Sequence, residues 1–372
     1  MRLAAVAAAE TAAETANAAA LAASVSLGGR RWVWSCFALT GGALAVAVLL
    51  APPASAAPDA GLAWLLFTGS SMHVAATGWL FTEPGVRTYA RLHRVRCRWV
   101  PAGLVITAAA VAAIIPPAAF QWLLLPYFGW QFIHYCKQNV GMTALAAASC
   151  RVPSLRQAER WPLLLTGCAA VARLIAEPRL LGLRADPGFA AMAPVAAAAF
   201  AIAVAAGLTA LIRRPAADRR AGFCAVYLTS LLFSLPVFVF ASPYAAVGGM
   251  TVAHGWQYLL LVGLIAGSGQ ARPPRLVKLT LLANVALIGG AALSAASHLH
   301  DAGPAGRLVF GAYLGIVMAH FVIDAGLWRM RDPLTRQFLA ERLPYLIPGR
   351  STDDETESSA TDPSSNDIGC RP

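Results

Sequence analysis

The chain has 372 residues, of which 58% are hydrophobic and only 13% charged, where soluble domains carry about 25% charged residues. That composition excludes a soluble globular fold and predicts an all-α, polytopic transmembrane bundle whose first partner is the lipid bilayer. The formal charge of +11 is uneven, because the tail from Ser351 holds six acids against Arg371 and leaves +16 on residues 1–350; in so apolar a chain this excess belongs to membrane topology, not to nucleic-acid binding.

In chain order, residues 1–31 are an alanine-rich, low-complexity segment expected to be disordered. Apolar runs bounded by charge or proline then predict ten spans, at about 32–51, 60–82, 99–115, 118–149, 161–175, 189–212, 221–241, 245–267, 276–297 and 306–329. Together they form a transmembrane domain over 32–330. A juxtamembrane segment at 331–350 and a disordered acidic tail at 351–372 follow. Arg30–Arg31, the RLHRVRCR run at 91–98, Arg151/Arg156/Arg160, Arg213/Arg214/Arg219/Arg220, Arg272/Arg275/Lys278 and Arg329/Arg331/Arg336 fall on alternate sides of these spans. Four of the five intervening loops, APPASAAPDA, PPA, ASPY and HLHDAGPAG, hold no Lys or Arg, and only the loop near Glu177–Asp186 mixes signs. This pattern predicts a multi-pass protein of the cell membrane with both termini cytoplasmic. The first span has a second reading: Arg30–Arg31, an apolar core and ASA at 54–56 resemble a secretory signal, whose cleavage would leave nine spans. Seven cysteines include no CxxC pair, so neither a disulfide framework nor a thiolate metal site is expected.

Four spans carry a histidine well inside: His73, His134, His254 and His320. By the loop charges, all four run in the same direction and hold the imidazole near mid-membrane or toward the cytoplasm. Each has polar company on its helical face, since residues three and four apart are neighbours. Ser70 and Thr77 flank His73, Lys137 and Gln138 follow His134, Gln257 follows His254, and Asp324 follows His320. A buried Asp or Lys costs at least ~2.5 kcal/mol on insertion scales. Such groups therefore need pairing, as Lys137 with Asp324, or a function. Arg173 is expected to snorkel to the interface and His93 to be solvated in its basic loop. His298 and His300 form an HxH beside Asp301 in an outer loop, a weaker candidate for metal.

Neutral imidazole is the commonest metal ligand. His73, His134, His254 and His320 with a carboxylate suit iron, copper or zinc. Gln138, Gln257 and Asp324 are candidates to orient the rings or act in chemistry. Lys137 is a candidate to hold an anionic group on a small, apolar or aromatic substrate. Two of the histidines as axial ligands of a non-covalent haem are the alternative, since no CxxCH is present. The dense HxxxH and HxxHH clusters of membrane hydroxylases and desaturases do not occur. The spread of single histidines over helices resembles the architecture of the membrane carotene-cleaving dioxygenases. The segments IHYCKQNVG, HGWQYL and HFVIDAGLWRMRDP resemble a group of bacterial multi-pass proteins. Over about 60–330 the chain is similar to membrane enzymes that nitrosate an aromatic or α-amino group to build a diazo function in actinomycete natural-product pathways. That resemblance implies diazotisation in a biosynthetic pathway, beside metal-dependent oxidation or group transfer. A small-molecule transporter also places polar groups at mid-membrane, with Pro194 and Pro236 as points where helices would break. A structural or assembly protein would need no shared polar cavity.

Overall fold

The computed structural model describes residues 27–53, 58–184, 188–268 and 274–347. Residues 1–26, the ASA tripeptide at 54–56 and the acidic tail lie outside the described residues. Among those described there is no strand, as an apolar environment requires when backbone groups must be satisfied within one segment. The helices are α1 (Leu27–Leu50), α2 (60–80), α3 (Pro84–Leu92), α4 (Val95–Ile114), α5 (Pro117–Ser149), α6 (Gln157–Ala176) and α7 (Met192–Ile212), followed by α8 (Ala221–Leu231), α9 (Pro236–Val239), α10 (Tyr244–Ala266), α11 (Arg275–Ser297), α12 (Pro304–Leu327) and α13 (Pro333–Arg342). The first of these begins inside the segment assigned above to the N-terminal tail. Asp59 caps α2 by accepting from the Leu62 amide at 2.7 Å. Prolines open α3, α5, α12 and α13, where the missing N–H leaves no bond unmade.

Among the described residues six helices are long and apolar enough to cross a membrane: α1, α4, α7, α10, α11 and α12. The other four predicted spans fall on α2, α5, α6 and α8. The first two are diluted by polar residues such as Ser70, His73, His134 and Gln138, α6 carries Glu159, Arg160 and Arg173, and α8 stops at Leu231. Pro194 sits within α7 without breaking it, whereas Pro236 does stand at a break, opening the short α9. Large apolar side chains such as Leu49, Ile114, Ile202, Leu276 and Ile288 face outward, an inverted surface suited to hydrocarbon. The apolar stretch of α10 is 67% buried against 11% for α4, which makes α10 the central helix.

Close packing rests on small residues. Gly311 and Gly315 of α12, spaced four apart, lie against α4, and a Cβ on either would stand 2.3 Å from the Ala108 carbonyl oxygen or 2.4 Å from Val105 Cα. Helices α2 and α10 cross at Gly69 and Gly255, where a Cβ on Gly255 would lie 2.0 Å from the Gly69 carbonyl oxygen. At one end of the bundle, two buried carboxylates tie helices together. Glu159 of α6 pairs with Arg214 at 2.9 Å and Arg156 at 2.8 Å. Glu83 pairs with Lys278 of α11 at 2.8 Å and with Arg342 of α13. Arg214 and Lys278, counted above as loop charges, are therefore buried partners holding the fold.

Candidate metal centre

Four helices each deliver one imidazole to the same point. The α2 backbone relaxes into a π-turn over Thr68–Met72, directly before His73, a deviation frequent at functional sites. The Gly69–Gly255 contact brings α2 against α10 beside His73 and His254. His134 comes from α5 and His320 from α12. All four rings and Asp324 are buried, between 1% and 8% exposed.

The rings form a closed cycle. Centroid distances are 5.0 Å for His73–His254, 5.0 Å for His254–His134, 5.4 Å for His134–His320 and 5.0 Å for His320–His73. An ion bound at about 2.0–2.1 Å to imidazole nitrogen sits roughly 3.2 Å from each ring centroid, so neighbouring rings around it are about 4.5–5.3 Å apart. The observed cycle matches that size. His73, His254 and His320 have ligand atoms within 4.8 Å of one another, as do His134, His320 and Asp324. Asp324 Oδ2 lies 3.4 Å from His320 Nε2 and 4.0 Å from His134 Nε2.

Surrounding side chains orient these groups. Tyr135 stacks on His254 at 4.1 Å, and Phe321 stacks on His134 at 4.6 Å. Thr77 Oγ1 stands 2.7 Å from His320 Nδ1 and 2.8 Å from the Tyr258 hydroxyl, which in turn reaches Asp324 Oδ1 at 3.3 Å. When Nδ1 carries the His320 proton, each group donates to the next, from ring to threonine to tyrosine to carboxylate. That direction leaves His320 Nε2 and Asp324 Oδ2 free as acceptors facing the centre, the arrangement that outer hydrogen bonds impose on metal ligands.

The other predicted residues lie elsewhere. Lys137 is exposed and makes no ion pair with Asp324. At about 100° per residue, the i+3 and i+4 positions lie on opposite flanks of His134; α10 packs on the flank of Gln138, which turns Lys137 outward. Gln138 and Gln257 do not touch the rings. Gln138 Nε2 donates to Gln257 Oε1 and the His254 carbonyl at 2.9 Å, while Gln257 Nε2 donates to Thr40 of α1 at 2.9 Å and Asn139 at 3.2 Å. They join three helices beneath the centre. His298 and His300 bond backbone carbonyls of their own turn, and His300 also meets Asp301 at 3.1 Å, a pair and not a three-ligand set. Arg173 pairs with Glu177 at 2.8 Å and His93 meets Asp332 at 3.5 Å. Tyr258 escaped sequence reasoning although it stands four residues after His254, the spacing that singled out Asp324. No protein-family model, no curated protein and no solved structure matches the chain, so the centre is read from its own geometry.

Proposed function

We propose that this protein is an integral membrane enzyme with a non-haem metal ion held by His73, His134, His254, His320 and Asp324. One observation carries the reading. Seven buried atoms of these five side chains have no hydrogen bond: both ring nitrogens of His73 and of His254, Nε2 of His134 and of His320, and Oδ2 of Asp324, whose nearest neighbours are those two Nε2 atoms at 4.0 Å and 3.4 Å. The Gly69 and Ser70 carbonyls, one turn back on α2, stand beside the His73 ring. Each unsatisfied buried group costs about 1–3 kcal/mol, so seven of them rival the roughly 5–15 kcal/mol that holds a typical domain together. A cation bound by one lone pair from each of the five residues satisfies five of the seven atoms at once, and the second ring nitrogens of His73 and His254 keep their N–H. Four imidazoles and one carboxylate favour iron or copper. Adjacent rings in edge contact at 5.0–5.4 Å favour a bare ion over a porphyrin placed between them. Bound there, such an ion supplies redox or Lewis-acid chemistry in a water-poor setting, suited to oxidation or group transfer on a small apolar or aromatic molecule. The protein's own groups hold the ligands in place, with Thr77 and Tyr258 fixing His320 and Asp324.

The same reading has ten crossings, both termini in the cytoplasm and the histidines near mid-membrane. Reporter fusions after Gly182 and Gly303 should then read extracytoplasmic and one after Arg219 cytoplasmic. The central test is elemental analysis of the purified protein. About one iron or copper per chain is expected, lost in His254→Ala and Asp324→Asn at unchanged membrane abundance. A wild-type protein free of metal after expression in metal-replete medium, and unable to take up iron(II) or copper(II), overturns the assignment.

A further inference from the structure

Beside the centre lies a cavity of about 240 Å³. It begins at His73, Tyr135 and Phe321, one member of the histidine cycle and the two rings stacked on others, and runs toward the end of the bundle that bears Ser297 and Phe310. A cavity of about 150 Å³ holds benzene, so this one has room for a substituted or fused ring. Aromatic rings dominate its wall, from Phe128 and Tyr135 to Phe310 and Phe321. Among the described residues the wall contains no Lys, Arg, Asp or Glu, and His73 is its only ionisable member besides the tyrosines.

The polar atoms on the wall are of two kinds. Some are already engaged: Ser70 donates to the Leu66 carbonyl at 2.7 Å, Ser297 to the Ser294 carbonyl at 2.7 Å, and the Tyr135 hydroxyl takes a hydrogen bond from Gln131 and donates to Thr251 at 3.3 Å. The hydroxyls of Tyr127 and Tyr313 have no partner among the described residues. Tyr127 is only 9% exposed, and its free hydroxyl is reached from the cavity that it lines. Two phenols inside an aromatic chamber can give and accept hydrogen bonds, but they cannot neutralise a full charge, whose burial without a partner is strongly unfavourable.

We propose that this cavity is the substrate chamber of the histidine centre and takes a neutral one- or two-ring aromatic compound bearing one hydrogen-bonding group, which Tyr127 and Tyr313 hold. The inference rests on the proposed enzymatic reading for its link to the centre, but the binding itself does not need the metal. The test is equilibrium dialysis of the full-length protein in detergent with radiolabelled indole, toluene and benzoate, metal content being measured on the same preparation. Val317→Trp, which fills the chamber, sets the baseline for partition into the micelle; Val317→Phe replaces it if the larger variant fails to accumulate. The wild type should bind about one equivalent of indole above that baseline and no benzoate. At least one of Tyr127→Phe and Tyr313→Phe should weaken indole binding roughly 3- to 10-fold, the worth of the single hydrogen bond its N–H donates, and neither should change toluene binding. Absence of saturable indole binding in a metal-loaded protein overturns the chamber and leaves the centre standing. Indole binding in a protein that takes up no metal does the reverse. Benzoate bound as well as indole, or indole binding indifferent to Val317, Tyr127 and Tyr313, also overturns the proposal.

Discussion

The crossing of α2 and α10 sets the spacing of His73 and His254, and it can be perturbed at one atom. In Gly255→Ala the new Cβ would stand 2.0 Å from the Gly69 carbonyl oxygen and 2.7 Å from its carbon. Ordinary non-bonded contacts begin near 3.5 Å, so the helices must part by roughly 1–1.5 Å. Ligand distances tolerate only about ±0.2 Å. Ring positions displaced by several times that amount should release the ion. Overpacking of this kind costs about 1–3 kcal/mol, roughly 5- to 150-fold in the folded-to-unfolded ratio. Gly263→Ala, two turns further along the same helix, is the control, because its Cβ meets nothing within 4 Å. Both substitutions gain the same helix propensity, about 1 kcal/mol, so their difference isolates the clash. The assay is melting temperature and metal content of both variants in one detergent. If Gly255→Ala melts with Gly263→Ala and keeps its metal, the crossing does not set the site.

Thr77→Val removes the hydroxyl that holds His320 Nδ1 and should weaken metal binding about 10- to 100-fold in chelator competition, with Thr77→Ser close to wild type. Glu159→Ala strands the Arg214 guanidinium in a buried site, a loss of about 3–5 kcal/mol; membrane abundance should fall and recover in part when Arg214→Met is added. Lys137→Met should leave abundance and metal content unchanged, and its effects should add to those of Asp324→Asn within about 0.5 kcal/mol. Restoration of Asp324→Asn by Lys137→Met would instead reveal a pairing that the exposed position of Lys137 excludes.

The convergence of His73, His134, His254 and His320 was legible because depth and helix direction are one-dimensional properties. Hydropathy and loop charge assign four imidazoles to one expected level, and polar company at i+3 or i+4 marks a face expected to turn inward. Which flank of that face meets a neighbour is a property of the crossing. Gln138 and Lys137 both lie one turn after His134, yet only the first faces α10. The crossing in turn depends on glycines whose role appears only when the partner backbone is known. Gly311 and Gly315 have the spacing of a helix-packing motif, but nothing in the chain names α4 as the partner. Glu159 and Arg214 stand 55 positions apart, and each reads locally as one more loop charge.

The site also obscures its own helices. α2 and α5 carry His73 and His134, and both fall short of the apolarity that marks α10 and α12 as spans. The shortfall comes from residues the bundle needs: Ser70, Ser71 and Thr77 in α2, and Gln131, Gln138, Asn139 and Thr143 in α5. Several of these form buried links, as Thr143 does to Ser230 at 3.0 Å and Gln138 to Gln257 at 2.9 Å. In lipid such groups would each cost free energy; between helices they are satisfied, and they bind the bundle where apolar side chains cannot distinguish helix from hydrocarbon. The two properties are one. A helix that lines a polar centre must surrender hydropathy to build it, so under the proposed ten crossings average apolarity would undercount the spans around the site. Helices with low hydropathy and an inward stripe of histidine, amide and hydroxyl residues are where such a site is to be sought.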